Sequence, residues 1–127
     1  MREVGCEVGV GELRLGDAVR VLWLDASELT RRLPSSEGLY DTPSWSYGVF
    51  LCVKGLRARH LVIAKEVIVH ERMFHYNVIP VGIVERVVLL RSGDLDPELL
   101  RDISRKVAET PVRQLEVGRR GGWMGWV

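Results

Sequence analysis

The sequence predicts a mainly β fold, a small barrel of about five to six antiparallel strands with one C-terminal amphipathic helix. Between Trp45 and Leu90, three or four runs rich in β-branched and aromatic residues are separated only by short turn signals, as in a meander of strands. The one strong helix start signal follows this stretch, at Asp96. We therefore expect a single domain over residues 1–127, with the barrel core at about 17–90, the helix at about 96–109 and a C-terminal tail at 112–127.

The first strand is expected in AVRVLWLD, directly after the turn signal Gly16-Asp17. Both faces of this strand are apolar toward its end, so either a later segment covers the second face or this face contacts another chain. The residues before it carry several valines among four glycines, which predicts an edge strand or a loosely held arm. The first strand has Val19, Val21 and Trp23 on one face and Arg20, Leu22 and Leu24 on the other.

The segment Ala26–Ser44 is polar and rich in turn-forming residues, which predicts a long loop and a first place to look for a binding surface. The next strands continue the meander to Leu90, and VRQLEV after the helix is a candidate for a last short strand. The expected features are a strand at Tyr47–Lys54 with a bend or bulge near Gly48, a third strand in LVIAKEVIV kinked at Lys65-Glu66, a fourth at Met73–Ile79 with Phe74, Tyr76 and Val78 facing inward, a corner at Pro80 and a strand in IVERVVLL.

The predicted helix has an N-cap residue at its start, an apolar stripe along one face and a proline after its end. Asp96 is a good N-cap residue, and Pro97 suits the first helical position. Thr110-Pro111 ends the segment, because proline removes a backbone donor and restricts the residue before it. Leu99, Leu100, Ile103 and Val107 form an apolar stripe at helical spacing, so the helix should lie on the barrel.

Composition limits the classes of function. The chain carries 18 basic and 17 acidic residues, a net charge of +1, so any case for nucleic-acid binding must be local. No apolar run reaches the roughly 18 residues of a membrane span, and no signal region starts the chain, so we expect a cytoplasmic protein without membrane contact. Fifteen of the 18 basic residues are arginine, with a single Asn and a single Gln, which fits a thermophilic host or a GC-rich genome. Cys6 and Cys52 are either two buried thiols or a disulfide.

Four segments together resemble a set of small uncharacterised phage and prokaryotic proteins. These segments are VRVLWLDAS, SYGVFL, LVIAKEV and YNVIPVGIVERVVLL, within the pattern V-x-W-x-D-A … I-P-x-G-x-I-x-x-V. The resemblance covers roughly Val19 to Leu90 and implies an SH3-like or Sm-like barrel. It implies no reaction, no cofactor and no catalytic residue, and it extends neither to the long loop nor to the helix and tail.

Two groups of residues are candidates for binding. The turn after the second strand is basic and close in sequence to two aromatic residues; arginines clamp phosphates and aromatic rings stack on bases, although a charged turn is also typical of a merely solvated surface. The tail offers tryptophans that either dock on the chain's own barrel or anchor a neighbouring subunit or partner. The nucleic-acid-binding candidates are Lys54, Arg57, Arg59, His60, Trp45 and Tyr47, and the interaction candidates are Trp123, Trp126, Arg119 and Arg120.

Catalytic signals are weak. The sequence has no nucleophile signature and no glycine-rich phosphate loop, and the spacing of His60, His70 and His75 matches no standard metal-ligand set. Asp25 and Asp41 with a histidine keep an enzyme open as a third hypothesis. We predict a non-enzymatic interaction module without cofactor or metal that binds nucleic acid through the basic turn, or alternatively a protein-interaction or homo-oligomeric assembly protein that uses the tail.

Overall fold

The computed structural model describes residues 2–25, 42–68, 70–93, 96–111 and 122–125. It contains one antiparallel sheet, one α-helix and two short 3-10 turns, at Val10–Glu12 and Val81–Ile83, within these ranges. The strands are β1 (Ala18–Asp25), β2 (Thr42–Lys54), β3 (His60–Ile68), β4 (Met73–Pro80), β5 (Val84–Arg91) and β6 (Gly122–Gly125), and the helix is α1 (Pro97–Glu109).

The strand order in the sheet is β5-β1-β2-β3-β4-β6, and every neighbouring pair is antiparallel. The predicted mainly β fold with five to six antiparallel strands and one C-terminal helix is confirmed. The sheet is open: among the described strands, β5 and β6 are the two edges, and no pairing joins them.

The sheet is strongly curled, as the link between β4 and β5 shows. The order β5-β1-β2-β3-β4 puts four inter-strand spacings between these two strands, about 19 Å in a flat sheet. Only the 3 residues Val81–Ile83 join Pro80 to Val84. Four Cα steps reach about 15 Å when fully extended, and a 3-10 turn is shorter still. The ends of β4 and β5 therefore lie closer than a flat sheet allows, and the sheet encloses a core.

The concave side of the sheet holds the first of two apolar clusters, here called the inner core. It contains the face of β1 that carries Val19, Val21 and Trp23, together with residues from β2, β3, β4 and β5. Val8 joins it from the N-terminal segment, and Phe50 N–H and Asp17 C=O form a 2.7 Å hydrogen bond at its rim. The buried members are Val8, Val19, Val21, Trp23, Phe50, Leu61, Ile63, Ile79, Val87 and Leu89.

The second cluster lies between the convex side of the sheet and α1, and is here called the helix-side core. Phe74, Tyr76 and Val78 belong to it, so the prediction that they face the interior of the barrel is wrong. The physical reason is that α1 covers this part of β3 and β4, which buries both faces of the strands and makes either one suitable for large apolar residues. The buried members are Leu51, Val62, Ala64, Phe74, Tyr76, Val78, Leu100, Ile103 and Val107.

Two irregularities bend the sheet close to where the sequence predicts them. The register of β2 against β3 shifts between Phe50 and Cys52, and that of β3 against β4 shifts between Ala64 and Glu66. Such a bulge changes which side chains share a face. Leu51 consequently packs in the helix-side core whereas Val53 packs against the inner core, although simple alternation places both on one face.

The helix begins and ends as its sequence predicts. The Asp96 carboxylate accepts hydrogen bonds from the N–H groups of Glu98 and Leu99, at 2.8 and 3.2 Å. These bonds satisfy two of the amide donors that a helix start leaves open. At the other end Thr110 is the C-cap residue, directly before Pro111.

The N-terminal segment is tied to the sheet. Arg2 forms an ion pair with the buried carboxylate of Asp17 and donates a second hydrogen bond to the same carboxylate at 3.1 Å. Glu7 forms an isolated bridge with Val88 of β5, so the segment follows that edge of the sheet. The arm carries Cys6, which is an exposed free thiol, and Cys52 is a half-buried free thiol. Of the two alternatives, the disulfide is therefore contradicted, and the pair of buried thiols is wrong for Cys6.

Three predicted segments differ from the structure or lie outside its described residues. β2 begins at Thr42, so the last residues of the predicted Ala26–Ser44 loop belong to a strand that pairs with β1. The rest of that loop and the proposed strand VRQLEV lie outside the described residues. The described part of the tail instead forms β6, paired with β4. None of the described helices combines the length and the apolar character required to span a bilayer.

Candidate ligand-binding surface

The basic turn between β2 and β3 presents two exposed arginines. Gly55 has a φ of 113°, a conformation that glycine adopts readily, and a Cβ at this position would collide with the Ala58 carbonyl oxygen. Leu56 is fully exposed, and Arg57 and Arg59 are exposed as well. Within the described part of the chain, no carboxylate forms an ion pair with either arginine. The turn can therefore supply two uncompensated cations.

Lys54, a nucleic-acid-binding candidate in the sequence, binds the C-terminal end of α1 in the structure. Its Nζ donates hydrogen bonds to the carbonyl oxygens of Val107, Ala108 and Thr110, at 2.6, 3.0 and 2.7 Å. These atoms belong to the C-terminal end of α1, where backbone acceptors lack helical partners and the helix dipole is negative. Lys54 thus serves as a cap for α1, and its ammonium is engaged within the protein.

His60 is buried rather than available on the surface. Its side chain is 6% exposed and lies at the start of β3, beside an open depression of about 590 Å³ between the basic turn and the end of α1. Glu109 and Pro111 also line this depression. Of the four predicted basic-turn residues, the structure therefore leaves Arg57 and Arg59 as exposed cations.

The two aromatic candidates lie at the other end of β2. Trp45 and Lys54 are nine residues apart on this strand, up to about 30 Å at 3.3 Å per residue. Closeness in sequence therefore does not produce closeness in space, because an extended chain separates its residues faster than any other regular structure. The structure does not bring Trp45 and Tyr47 together with the basic turn.

The aromatic residues instead join an arginine that the sequence analysis did not select. Arg20 of β1 is directly opposite Tyr47, and Leu22 is directly opposite Trp45. The guanidinium Cζ of Arg20 lies 4.5 Å from the centroid of the Trp45 ring, a cation–π contact across the two strands. We call Arg20, Trp45 and Tyr47 the aromatic face. Trp45 is 40% exposed and Tyr47 is 56% exposed.

The opposite side of the same strand segment is turned to the inner core. Trp23 Nε1 donates a hydrogen bond to Ser46 Oγ at 2.9 Å, and a Cβ on Gly48 would approach the Ala64 carbonyl oxygen to 2.6 Å. Small residues on the concave side let β2 pass close to β3 while the large rings stay on the convex side. The alternation of small and aromatic residues in SWSYG, set against VRVLW, is the signal that could have revealed the aromatic face.

The electrostatics of the aromatic face favour an anionic or π-rich ligand. Among the described residues, no carboxylate forms an ion pair with Arg20, and its buried Nε makes no hydrogen bond. Arg86 on β5 is across from Leu22, but it shares its charge with Glu7 at 2.9 Å. The face thus has one uncompensated guanidinium beneath one ring and beside a second.

The half-buried thiol of Cys52 is a weak candidate for a nucleophile. Burial raises the pKa of the Cys52 thiol to about 11, and the positive charge of Lys54 only partly opposes this effect. A thiol with this pKa is almost entirely protonated at neutral pH and is a poor nucleophile. No three His, Cys, Asp or Glu side chains gather as a metal-binding group in the described ranges.

The tail candidates are described only in part. The backbone of Trp123 lies in β6 across from His75 of β4. Trp126, Arg119 and Arg120 lie outside the described residues. Two aspartates belong to the enzyme hypothesis. Asp41 also lies outside the described residues, and Asp25 is the last residue of β1.

Comparisons with protein-family models, with curated proteins and with solved structures found no significant match for the chain.

Proposed function

We propose that this protein is a non-enzymatic interaction module that binds nucleic acid on the aromatic face. The observation that carries the proposal is the cation–π pair of Arg20 and Trp45 beside the exposed ring of Tyr47. Aromatic rings on a sheet offer stacking surfaces for bases, and an uncompensated arginine attracts phosphates. The basic turn becomes a second, separate contact that a sufficiently long ligand reaches through Arg57 and Arg59.

The test is a titration of labelled single-stranded oligonucleotide, about 12 nucleotides long, followed by fluorescence anisotropy. Tyr47→Ala removes the more exposed ring, and we expect affinity at least about fivefold lower, because stacking contributes about 1 to 3 kcal/mol per base. Val4→Ala is the matched control, since it also removes an exposed apolar side chain but lies in the N-terminal segment, outside both the aromatic face and the basic turn. This control should bind like the wild type.

The double variant Arg57→Ala and Arg59→Ala decides between the two ends of β2. If this variant loses binding while Tyr47→Ala keeps it, the interface is the basic turn and our placement is wrong. If neither variant changes the affinity, nucleic-acid binding at either surface is contradicted. Both variants alter exposed residues, so thermal melting should show folding close to that of the wild type.

Assembly of this chain with itself or with another protein is the second candidate. Trp, Tyr and Arg are also the residues that dominate protein interfaces, and Leu22 and Leu24 share the convex side of β1 with Arg20. The tail adds Trp123 in an edge strand. Sedimentation of the full chain, of Tyr47→Ala and of a chain lacking residues 118–127 tests this alternative. A monomer in all three samples would count against self-assembly.

A further inference from the structure

We infer that the ligand of the aromatic face is a single strand that places two consecutive unpaired bases on Trp45 and Tyr47. This inference rests on the proposed function and adds the form of the nucleic acid, the mode of contact and the role of Arg20. It starts from the positions of the two rings. Trp45 and Tyr47 are two residues apart on one strand and share its convex side, so their Cα atoms lie about 6.6 Å apart.

This separation selects against a duplex. Neighbouring bases in a DNA helix are about 3.4 Å apart along each strand and cover one another's faces. A ligand that stacks on both rings must have its bases separated to about twice that distance. A single strand can open in this way without breaking base pairs, whereas a duplex must lose both pairing and stacking. The spacing of the two residues along β2 therefore fits unpaired bases.

Arg20 fixes the orientation of the first ring. Its guanidinium lies 4.5 Å from the centre of the Trp45 ring, so one face of the indole is covered from within the protein. Trp45 as a residue remains 40% exposed, which leaves area for a ligand away from Arg20. Arg20 is also the residue of β1 directly across from Tyr47. We assign Arg20 the role of a positioning residue that holds Trp45 and adds one positive charge below the stacking surface.

The small number of cations on this face sets the salt dependence. Arg20 is uncompensated, whereas Arg86 is neutralised by Glu7. With about one phosphate neutralised at the aromatic face, the logarithm of the affinity of the variant that lacks Arg57 and Arg59 should fall with the logarithm of salt concentration at a slope near −0.7. Binding through the two free arginines of the basic turn would give a slope of about −1.4. A shallow dependence of the affinity on salt concentration would therefore indicate binding mainly by stacking.

The experiment compares three probes of equal length, about 12 nucleotides, on the full-length protein: oligothymidylate, an abasic strand with the same phosphates, and a duplex. We expect the abasic strand to bind at least about 30-fold more weakly than oligothymidylate, because two stacked bases are lost. The duplex should also bind more weakly than oligothymidylate. Equal affinity for the abasic strand would overturn the inference while leaving nucleic-acid binding intact. If none of the three probes binds, the proposed function itself fails.

The role of Arg20 is tested by rescue. Arg20→Met removes the charge and the support of the Trp45 ring, and we expect it to weaken binding of oligothymidylate at least about fivefold. Binding of the abasic strand should weaken less, because that strand loses only the phosphate contact. Arg20→Lys restores a cation near the ring and should recover part of the affinity. Equal loss in both variants, or equal loss for both probes, would contradict a positioning role. Urea denaturation of each variant shows whether a change in folding accounts for the loss.

Discussion

At the residue scale, Gly48 is the position where the sheet tolerates no side chain. A Cβ there would lie 2.6 Å from the Ala64 carbonyl oxygen and 3.3 Å from Ile63 Cβ. Because the first contact is with backbone, relief requires the two strands to move apart. We expect Gly48→Ala to lower the free energy of unfolding by about 1 to 3 kcal/mol, measured by urea denaturation. Gly82→Ala is the control, because nothing lies within 4 Å of its added Cβ. A similar loss in both variants would contradict this explanation.

Asp17 makes the stability of the fold depend on pH. Burial opposes ionisation of Asp17, but hydrogen bonds from Arg2 and from the Arg14 N–H outweigh it, so its pKa is lowered in the folded protein. A lowered folded-state pKa means that the contribution to stability is complete above the unfolded-state pKa of about 3.9 and is lost as pH falls through the folded value. The fold should therefore weaken below about pH 4 through this carboxylate.

The variant Asp17→Asn tests this dependence. At neutral pH we expect a loss of about 1 to 2 kcal/mol, because a hydrogen-bonded charge is removed from a side chain that is 1% exposed. The difference between variant and wild type should narrow as pH falls below about 4, since the wild-type carboxylate then becomes protonated as well. Denaturation midpoints from about pH 6 to about pH 3 give the comparison. Asp102→Asn, which alters an aspartate paired on the exposed side of α1, should cost much less.

These residues also show what sequence reasoning can reach. The Asp96 cap and the bend near Gly48 depend on a few neighbouring residues, so local patterns predict them. Arg20 and Lys54 act through partners 25 and more than 50 positions away, at Trp45 and at the end of α1. Such contacts depend on strand register and helix placement. No short motif encodes them, so local sequence patterns indicate neither the contact of Arg20 with Trp45 nor the cap that Lys54 forms on α1.

At the element scale, α1 is held to the sheet by its apolar stripe and by Lys54. The stripe buries Leu100, Ile103 and Val107 against the convex side, as its spacing predicts. The faces of β2 and β4 were harder to predict. A register shift in β2 changes the side on which later residues lie, and a strand that is buried on both faces carries no polar side to orient it.

The Lys54 cap gives a prediction at this scale. Lys54→Met keeps most of the aliphatic stem but removes the donor for three backbone carbonyls of α1. We expect a loss of about 1 to 3 kcal/mol in unfolding free energy, with the last turn of the helix exchanging its amide hydrogens faster. Lys65→Met changes the same residue type at an exposed position of β3 and should be nearly neutral. If the helix end keeps its protection in Lys54→Met, the cap is not a stabilising contact.

At the scale of the whole molecule, the aromatic face and the basic turn lie beside different strands. The segment of β2 that carries the aromatic face pairs with β1, and its later half pairs with β3 and lies near α1. β2 thus carries the exposed aromatic face near one end and leads into the basic turn at the other. The sequence showed both groups of residues but not the distance between them, because that distance follows from the length of β2.

This separation leads to a prediction about energetic coupling. The aromatic face and the basic turn are up to about 30 Å apart along β2, and the described residues share no contact that joins them. Changes at sites so far apart usually add to within about 0.5 kcal/mol. A chain with Tyr47→Ala, Arg57→Ala and Arg59→Ala should therefore lose binding free energy equal to the sum of the losses at the two sites. Only the arginine changes should flatten the salt dependence, because Tyr47 carries no charge to exchange for counterions. Coupling well above that limit in anisotropy titrations would contradict the independence of the two groups.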